Sequence, residues 1–150
     1  MTGLDLTTAT GLQVLQHLES AQEGKPHIGQ LLGLSIDSLE EGRVVMSLEP
    51  QELFANQLGT MHGGVSATLL DSVMGCAVHS ALPAATSYTT MELKVNYIRS
   101  VPINGGRLIG VGTVVHLGRR SATAEGRINN ADGKLVAHAT TTCMVLPLGG

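Results

Sequence analysis

Tryptophan is absent from this 150-residue chain, and only Phe54, Tyr88 and Tyr97 carry six-membered aromatic rings. A core built on large aromatics is therefore excluded, and Val, Leu, Ile, Met and Ala must fill the interior. Basic side chains are also few: nine Lys and Arg stand against twelve Asp and Glu, for a net charge of −3. A nucleic-acid binder would carry a basic patch, so that class is set aside. The two cysteines, Cys76 and Cys143, fall in apolar surroundings without metal-ligand spacing. They read as small core residues in a reducing compartment. The scattered histidines His17, His27, His79, His116 and His138 form no metal-ligand pair, so no metal is expected. The first Lys or Arg is Lys25, so the N-terminus lacks the positive start of a signal peptide. No charge-free apolar run has the ~18 residues of a membrane span. The expectation is a cytoplasmic protein with neither nucleic acid nor membrane among its partners.

What is abundant is glycine, 19 residues of it. Small residues permit close backbone approach, which predicts a helix held tightly against a sheet. The length reads as one domain, 1–150, able to bury roughly 68–70% of its unfolded surface. Residues 1–25 read as a helical extension, with Leu4, Leu12, Leu15 and Leu18 as its apolar positions. Thr7, Thr8 or Thr10 could cap it, and Gly24-Lys25-Pro26 ends it. A short turn or helix follows over 28–32, then a hairpin of strands 34–39 and 43–49 about Glu40-Glu41-Gly42. A loop covers 50–61. A central helix runs from Gly63 or Val65 to Ala81, stopped by Pro83. Four strands complete the chain, over 87–98, 105–117, 121–128 and 135–146. Short turns imply antiparallel neighbours, so the fold class is α+β, an antiparallel sheet wrapped around one apolar helix.

One carboxylate stands alone in that helix. Between Glu52 and Glu92 the only formally charged side chain is Asp71, in a stretch that is apolar or small almost all round. Such a helix is normally buried, and burying an unpaired carboxylate is costly. Upstream, Gly63 and Gly64 leave room for a ligand oxygen at the helix start, where free N–H groups and the macrodipole favour negative charge. That is an oxyanion site in principle, although glycines there also serve as plain turn residues. Asp71 lies eight residues beyond Gly63, ~12 Å along the axis, so one carbonyl cannot touch both groups of one chain. Two helices side by side and antiparallel about a two-fold axis would bring each Asp71 to the other's start, which implies a C2 dimer. Asn56 could orient a carbonyl or shape its loop. His62 could bond a substrate oxygen or brace the turn. Arg119 and Arg120 form a basic turn suited to a phosphate, or simply a solvated one.

The segment Asn56-Gln-Leu-Gly-Thr-Met-His62-Gly63-Gly64-Val-Ser-Ala-Thr-Leu-Leu-Asp71-Ser, continued by Met91-Glu-Leu-Lys-Val-Asn-Tyr97-Ile-Arg-Ser-Val-Pro102, resembles the hotdog-fold acyl-CoA thioesterases of the phenylacetic-acid-degradation and thioesterase superfamily member type. The likeness spans about residues 30 to 147. It implies that the helix is the sausage and the sheet the bun of a hotdog fold. It implies that Asp71 acts on the thioester as general base or nucleophile. The Gly63 N–H would polarise the carbonyl, with Asn56 and His62 nearby, and the two halves of the site would come from opposite subunits. It gives Thr90 a part in holding the water, and sets Gly64 and the Gly118-Arg119-Arg120-Ser121 turn against coenzyme A. Coenzyme A is then part of the substrate and no cofactor is expected. The assembly expected is a homodimer, paired again as a homotetramer.

Strict alternation sets Met91, Leu93, Val95 and Tyr97 on one face, and Glu92, Lys94 and Asn96 on the other. Thr90 then points away from the helix, and reaching the site requires a bulge or access through the dimer seam. Thr89 is the alternative. Two other functions fit the same fold: an acyl-CoA hydratase or dehydratase, and a non-catalytic acyl-CoA sensor. The first commonly uses a helix histidine, and the second has no need of Asp71.

Overall fold

The computed structural model describes residues 3–21 and 25–148. Gly24, part of the expected stop of the first helix, lies outside them. Helix α1 spans Gly11–Ser20, α2 Ile28–Leu32 and α3 Gly63–Ala81. The strands are β1 Ser35–Glu40, β2 Arg43–Leu48, β3 Thr86–Tyr97, β4 Leu108–Leu117, β5 Ser121–Asn129 and β6 Leu135–Pro147. They form one six-stranded antiparallel sheet in the order β1-β2-β4-β5-β6-β3.

Short links do pair their strands in β1–β2, β4–β5 and β5–β6. The expectation fails between β3 and β4. Residues 98–107 carry the chain across the sheet, so that β3 pairs with β6 and β4 with β2. This link is tied to the loop before α3: the Met61 N–H donates to the Val101 carbonyl at 2.9 Å, and Thr60 bridges Pro102. The crossover therefore anchors the start of α3.

Helix α3 lies across the sheet with Leu69, Leu70, Val73, Met74, Ala77 and Val78 fully buried. The close approach expected from the glycine content is real. A Cβ on Gly112 of β4 would overlap the Val73 backbone carbonyl, and one on Gly126 of β5 would meet the Met74 side chain at 2.9 Å. The expected all-round burial of α3 is not observed. Thr68, Asp71, Ser72, Cys76 and His79 are only half-buried. Their spacing of three and four residues puts them on one stripe, which this chain's own sheet does not cover.

At the N-terminus, α1 begins at Thr10, the third of the candidate caps. Its hydroxyl accepts from the Gln13 N–H, and the Gln13 side chain accepts from the Thr10 N–H, a capping box. Leu4 precedes this helix and Leu18 is 60% exposed, so only part of the expected apolar face packs. The Gly11 backbone sits directly on the His79 carbonyl, and its N–H donates to the Leu82 carbonyl at 3.0 Å. This fixes α1 against the C-terminal end of α3.

Candidate active site

The helix start is built from three peptide groups. His62 is the N-cap of α3, in extended conformation, and its Nδ1 accepts from the Gly64 N–H at 2.9 Å. In this bond Nδ1 serves as an acceptor, which leaves Nε2 as the ring atom facing outward from the cap. The Val65 N–H donates to the His62 carbonyl at 3.0 Å, and the His62 N–H to the Phe54 carbonyl at 2.8 Å. Gly64 has thus given its N–H away. The Gly63 N–H has no acceptor among the described residues, as the first turn of a helix requires unless something caps it. A cleft of about 300 Å³ opens here, lined by Thr60, Met61, Gly63, Ser66, Tyr97 and Val101, among others.

Asn56 spends its amide on its own loop. Its Oδ1 accepts from the Leu58 and Thr60 N–H groups at 2.8 and 3.3 Å, and its Nδ2 donates to Thr60 Oγ1 at 3.0 Å. It thereby shapes the turn that delivers the chain to His62.

Asp71 sits two turns further along α3, on the half-buried stripe. The Thr90 hydroxyl donates to its Oδ1 at 2.9 Å. This contact depends on a β-bulge in β3. Thr90 pairs with Cys143 and Glu92 with Thr142, which leaves Met91 as the extra residue. The bulge inverts the alternation. Tyr88 and Thr90 face the helix before it, Leu93 and Val95 after it, and Met91 turns outward at 58% exposed. The expected placing of Met91 on the helix face is therefore wrong, and so is the expected outward Thr90. The Thr141 hydroxyl donates to the Glu92 carbonyl at 2.7 Å and satisfies the disturbed ladder. Thr89 lies on the exposed side.

Two thiols neighbour the acid, and a thiol is itself a competent acyl acceptor. Burial, and then the Asp71 charge, push the Cys76 thiol up to about 11. Cys76 keeps some exposed surface yet is ringed by packed atoms, and the packing controls its ionisation. Cys143 is also raised, chiefly by burial. A protonated thiol is a poor nucleophile, so neither cysteine is favoured as an acyl acceptor. Tyr88 closes the site one turn further on: a Cβ on Gly75 would lie 2.6 Å from its hydroxyl oxygen. Its ring stands 5.6 Å from that of His79, whose protonation burial disfavours.

Arg119, Arg120 and Ser121 are exposed at the β4–β5 turn. Ser121 pairs with Met144, and Met144 with Thr89, so the turn is level with the start of β3. Gly63 is held by Tyr97 at the other end of that strand, eight residues or roughly 26 Å away. One chain therefore unites Asp71 with Thr90, and Asn56 with His62 and Gly63. It keeps these two sets apart, and it holds the arginine turn far from the second of them. Tyr97 is a neighbour of the helix start to which the sequence alone gave no role; an aromatic ring immediately before the crossover was its only trace.

The arrangement offers an unoccupied N–H, a carboxylate held by a hydroxyl, and a helix stripe without cover. The chain as a whole is similar to known proteins. Human acyl-coenzyme A thioesterase 13 is 26% identical over 132 residues, 87% of this chain and 93% of the relative. The crystal structure of a thioesterase family protein from Silicibacter pomeroyi superposes with a TM-score of 0.80 at 28% identity, covering 91% of this chain and 98% of that one. A phenylacetic acid degradation-related protein from Ralstonia eutropha gives 0.77 at 27% identity, covering 86% and 97%. The family model of the thioesterase superfamily matches residues 58–137, which carry α3, the bulged strand and the acid. By sequence and by architecture, the chain belongs to the thioesterase superfamily and is a thioester hydrolase of the hotdog fold.

Proposed function

We propose that this protein hydrolyses acyl-CoA thioesters in sites shared across the two-fold axis of a homodimer. The observation that carries the reading is Asp71, a half-buried carboxylate on the uncovered stripe of α3, held by Thr90. Strand β3 is an edge of the sheet, and its twelve residues present an unpaired row of N–H and C=O groups. A long free edge is a template for another strand. A second copy paired there lays its α3 beside the first, antiparallel, over that stripe. Asp71 then faces the Gly63 N–H of the partner subunit.

In this site the partner's Gly63 stabilises the oxygen that becomes negative as the carbonyl is attacked. Asp71 takes the proton of the attacking water, or attacks the carbonyl itself. Thr90 holds one carboxylate oxygen, so the other is free for that task. Asn56 and His62 serve by fixing the loop and the helix start. Arg119, Arg120 and Ser121 remain the candidates for the nucleotide end of coenzyme A, reached from a neighbouring copy.

The test is Asp71→Asn on a panel of acyl-CoAs with a thiol-detecting reagent. Turnover falls by about 10² to 10⁴, the value of general-base help, while the assembly stays folded. Undiminished release of free CoA by this variant discards the mechanism. Acyl-CoA consumption by the wild type without thiol release points to a hydratase instead.

A further inference from the structure

A glycine at the first position of a helix has the widest conformational freedom of any residue there. An oxyanion donor is effective only if its N–H is already aimed when charge develops. Something must therefore hold Gly63, and two side chains do. The Tyr97 hydroxyl donates to the Gly63 carbonyl oxygen at 3.0 Å. The His62 ring accepts from the Gly64 N–H at 2.9 Å. Both bonds end on the same peptide unit, the one joining Gly63 to Gly64, and grip it at its two ends.

The Tyr97 ring adds a steric stop. Its carbons lie 3.1 Å from the place a Cβ on Gly63 would take, so the ring rests on the bare Cα. Core burial does not explain its position, since Tyr97 is 55% exposed. The preceding peptide is held too: its carbonyl, on His62, accepts from the Val65 N–H, and its own N–H is the unoccupied Gly63 group.

We infer that Tyr97 is a positioning residue for the oxyanion donor, acting through the Gly63–Gly64 peptide. This rests on the proposed role of Gly63. The hydroxyl does not reach the reacting atoms; it limits how far the adjacent N–H can swing.

Tyr97→Phe keeps the ring and removes the donor. Measured on the acyl-CoA that wild type turns over fastest, kcat falls about three- to tenfold, the value of one neutral hydrogen bond. KM stays within twofold and the thermal midpoint is unchanged. Tyr97→Leu, which removes the ring as well, lowers kcat further, and Gly63→Ala is less damaging in that background because the crowding ring is gone. Full kcat in Tyr97→Phe overturns the inference. So does a loss in which kcat, KM and thermal midpoint deteriorate together, since that marks a merely structural residue. Asp71→Asn measured alongside separates the two levels. If it keeps full turnover, the catalytic reading fails. If it is inactive while Tyr97→Phe is unaffected, only the role of Tyr97 is lost.

Discussion

Gly112 and Gly126 lie under the same helix, but an added methyl group meets different obstacles at each. At Gly112 it strikes the backbone of Val73, which cannot move without displacing α3 from the sheet. At Gly126 it meets Met74 side-chain atoms, which can rotate aside. Gly112→Ala is expected to lower stability by about 3 kcal/mol or more, and Gly126→Ala by about 1 kcal/mol, both from overpacking. Urea midpoints of the two variants check this, and equal losses would show that α3 rides loosely on the sheet. Abundant glycine was visible in the sequence and pointed to tight packing. Which glycines matter was not, because a contact between distant backbones leaves no local pattern. Asp71 is the opposite case. A lone acid in an apolar run is conspicuous by itself, since only a specific environment makes its burial tolerable.

At the scale of the element, β3 can support Asp71 only because it is irregular. Without the bulge at Met91, Thr90 would face away from α3 and Asp71 would lose its hydroxyl partner. Thr90→Val is therefore expected to lower kcat on the order of ten- to a hundredfold, the range for hydrogen bonds to charged groups. Thr89→Val, on the exposed side, changes kcat by less than about twofold, as surface substitutions do. Steady-state kinetics of the two variants decide, and the reverse order would move the site to the other face of the strand. Periodicity alone could state that a bulge was needed but not that one was present. A bulge is set by pairing with β6, where Thr141 satisfies the displaced Glu92 carbonyl. The helix α3 was easier to read. Its bounds follow from the glycines at its start and Pro83 after its end, both local stereochemical signals.

For the whole molecule, the uncovered stripe on α3 and the free edge of β3 become one feature under the proposed assembly, in which a second copy covers both. If Asp71 of one chain faces Gly63 of the partner subunit, the two-fold axis passes beside position 67, midway between them. Ala67 then lies close to its own copy. Ala67→Cys, mildly oxidised, is expected to run as a covalent dimer on a non-reducing gel while the wild-type chain does not. Helix surfaces in contact at 8–10 Å between axes bring such backbones within disulfide reach. A strictly monomeric Ala67→Cys product would place the helices elsewhere and separate the proposed halves of the site.

The chain's residues alone settled the helix and its ends, most strand positions, the isolated acid and the glycine-rich turn before it. All of these are written in neighbouring residues through propensity, charge and turn stereochemistry. Three features were decided only by the folded state: the crossover that sends β3 to β6, the bulge that turns Thr90 inward, and the hydroxyl of Tyr97 on the Gly63 peptide. Each joins groups more than thirty residues apart or depends on how two strands register, and such pairings are chosen by the energy of the assembled sheet.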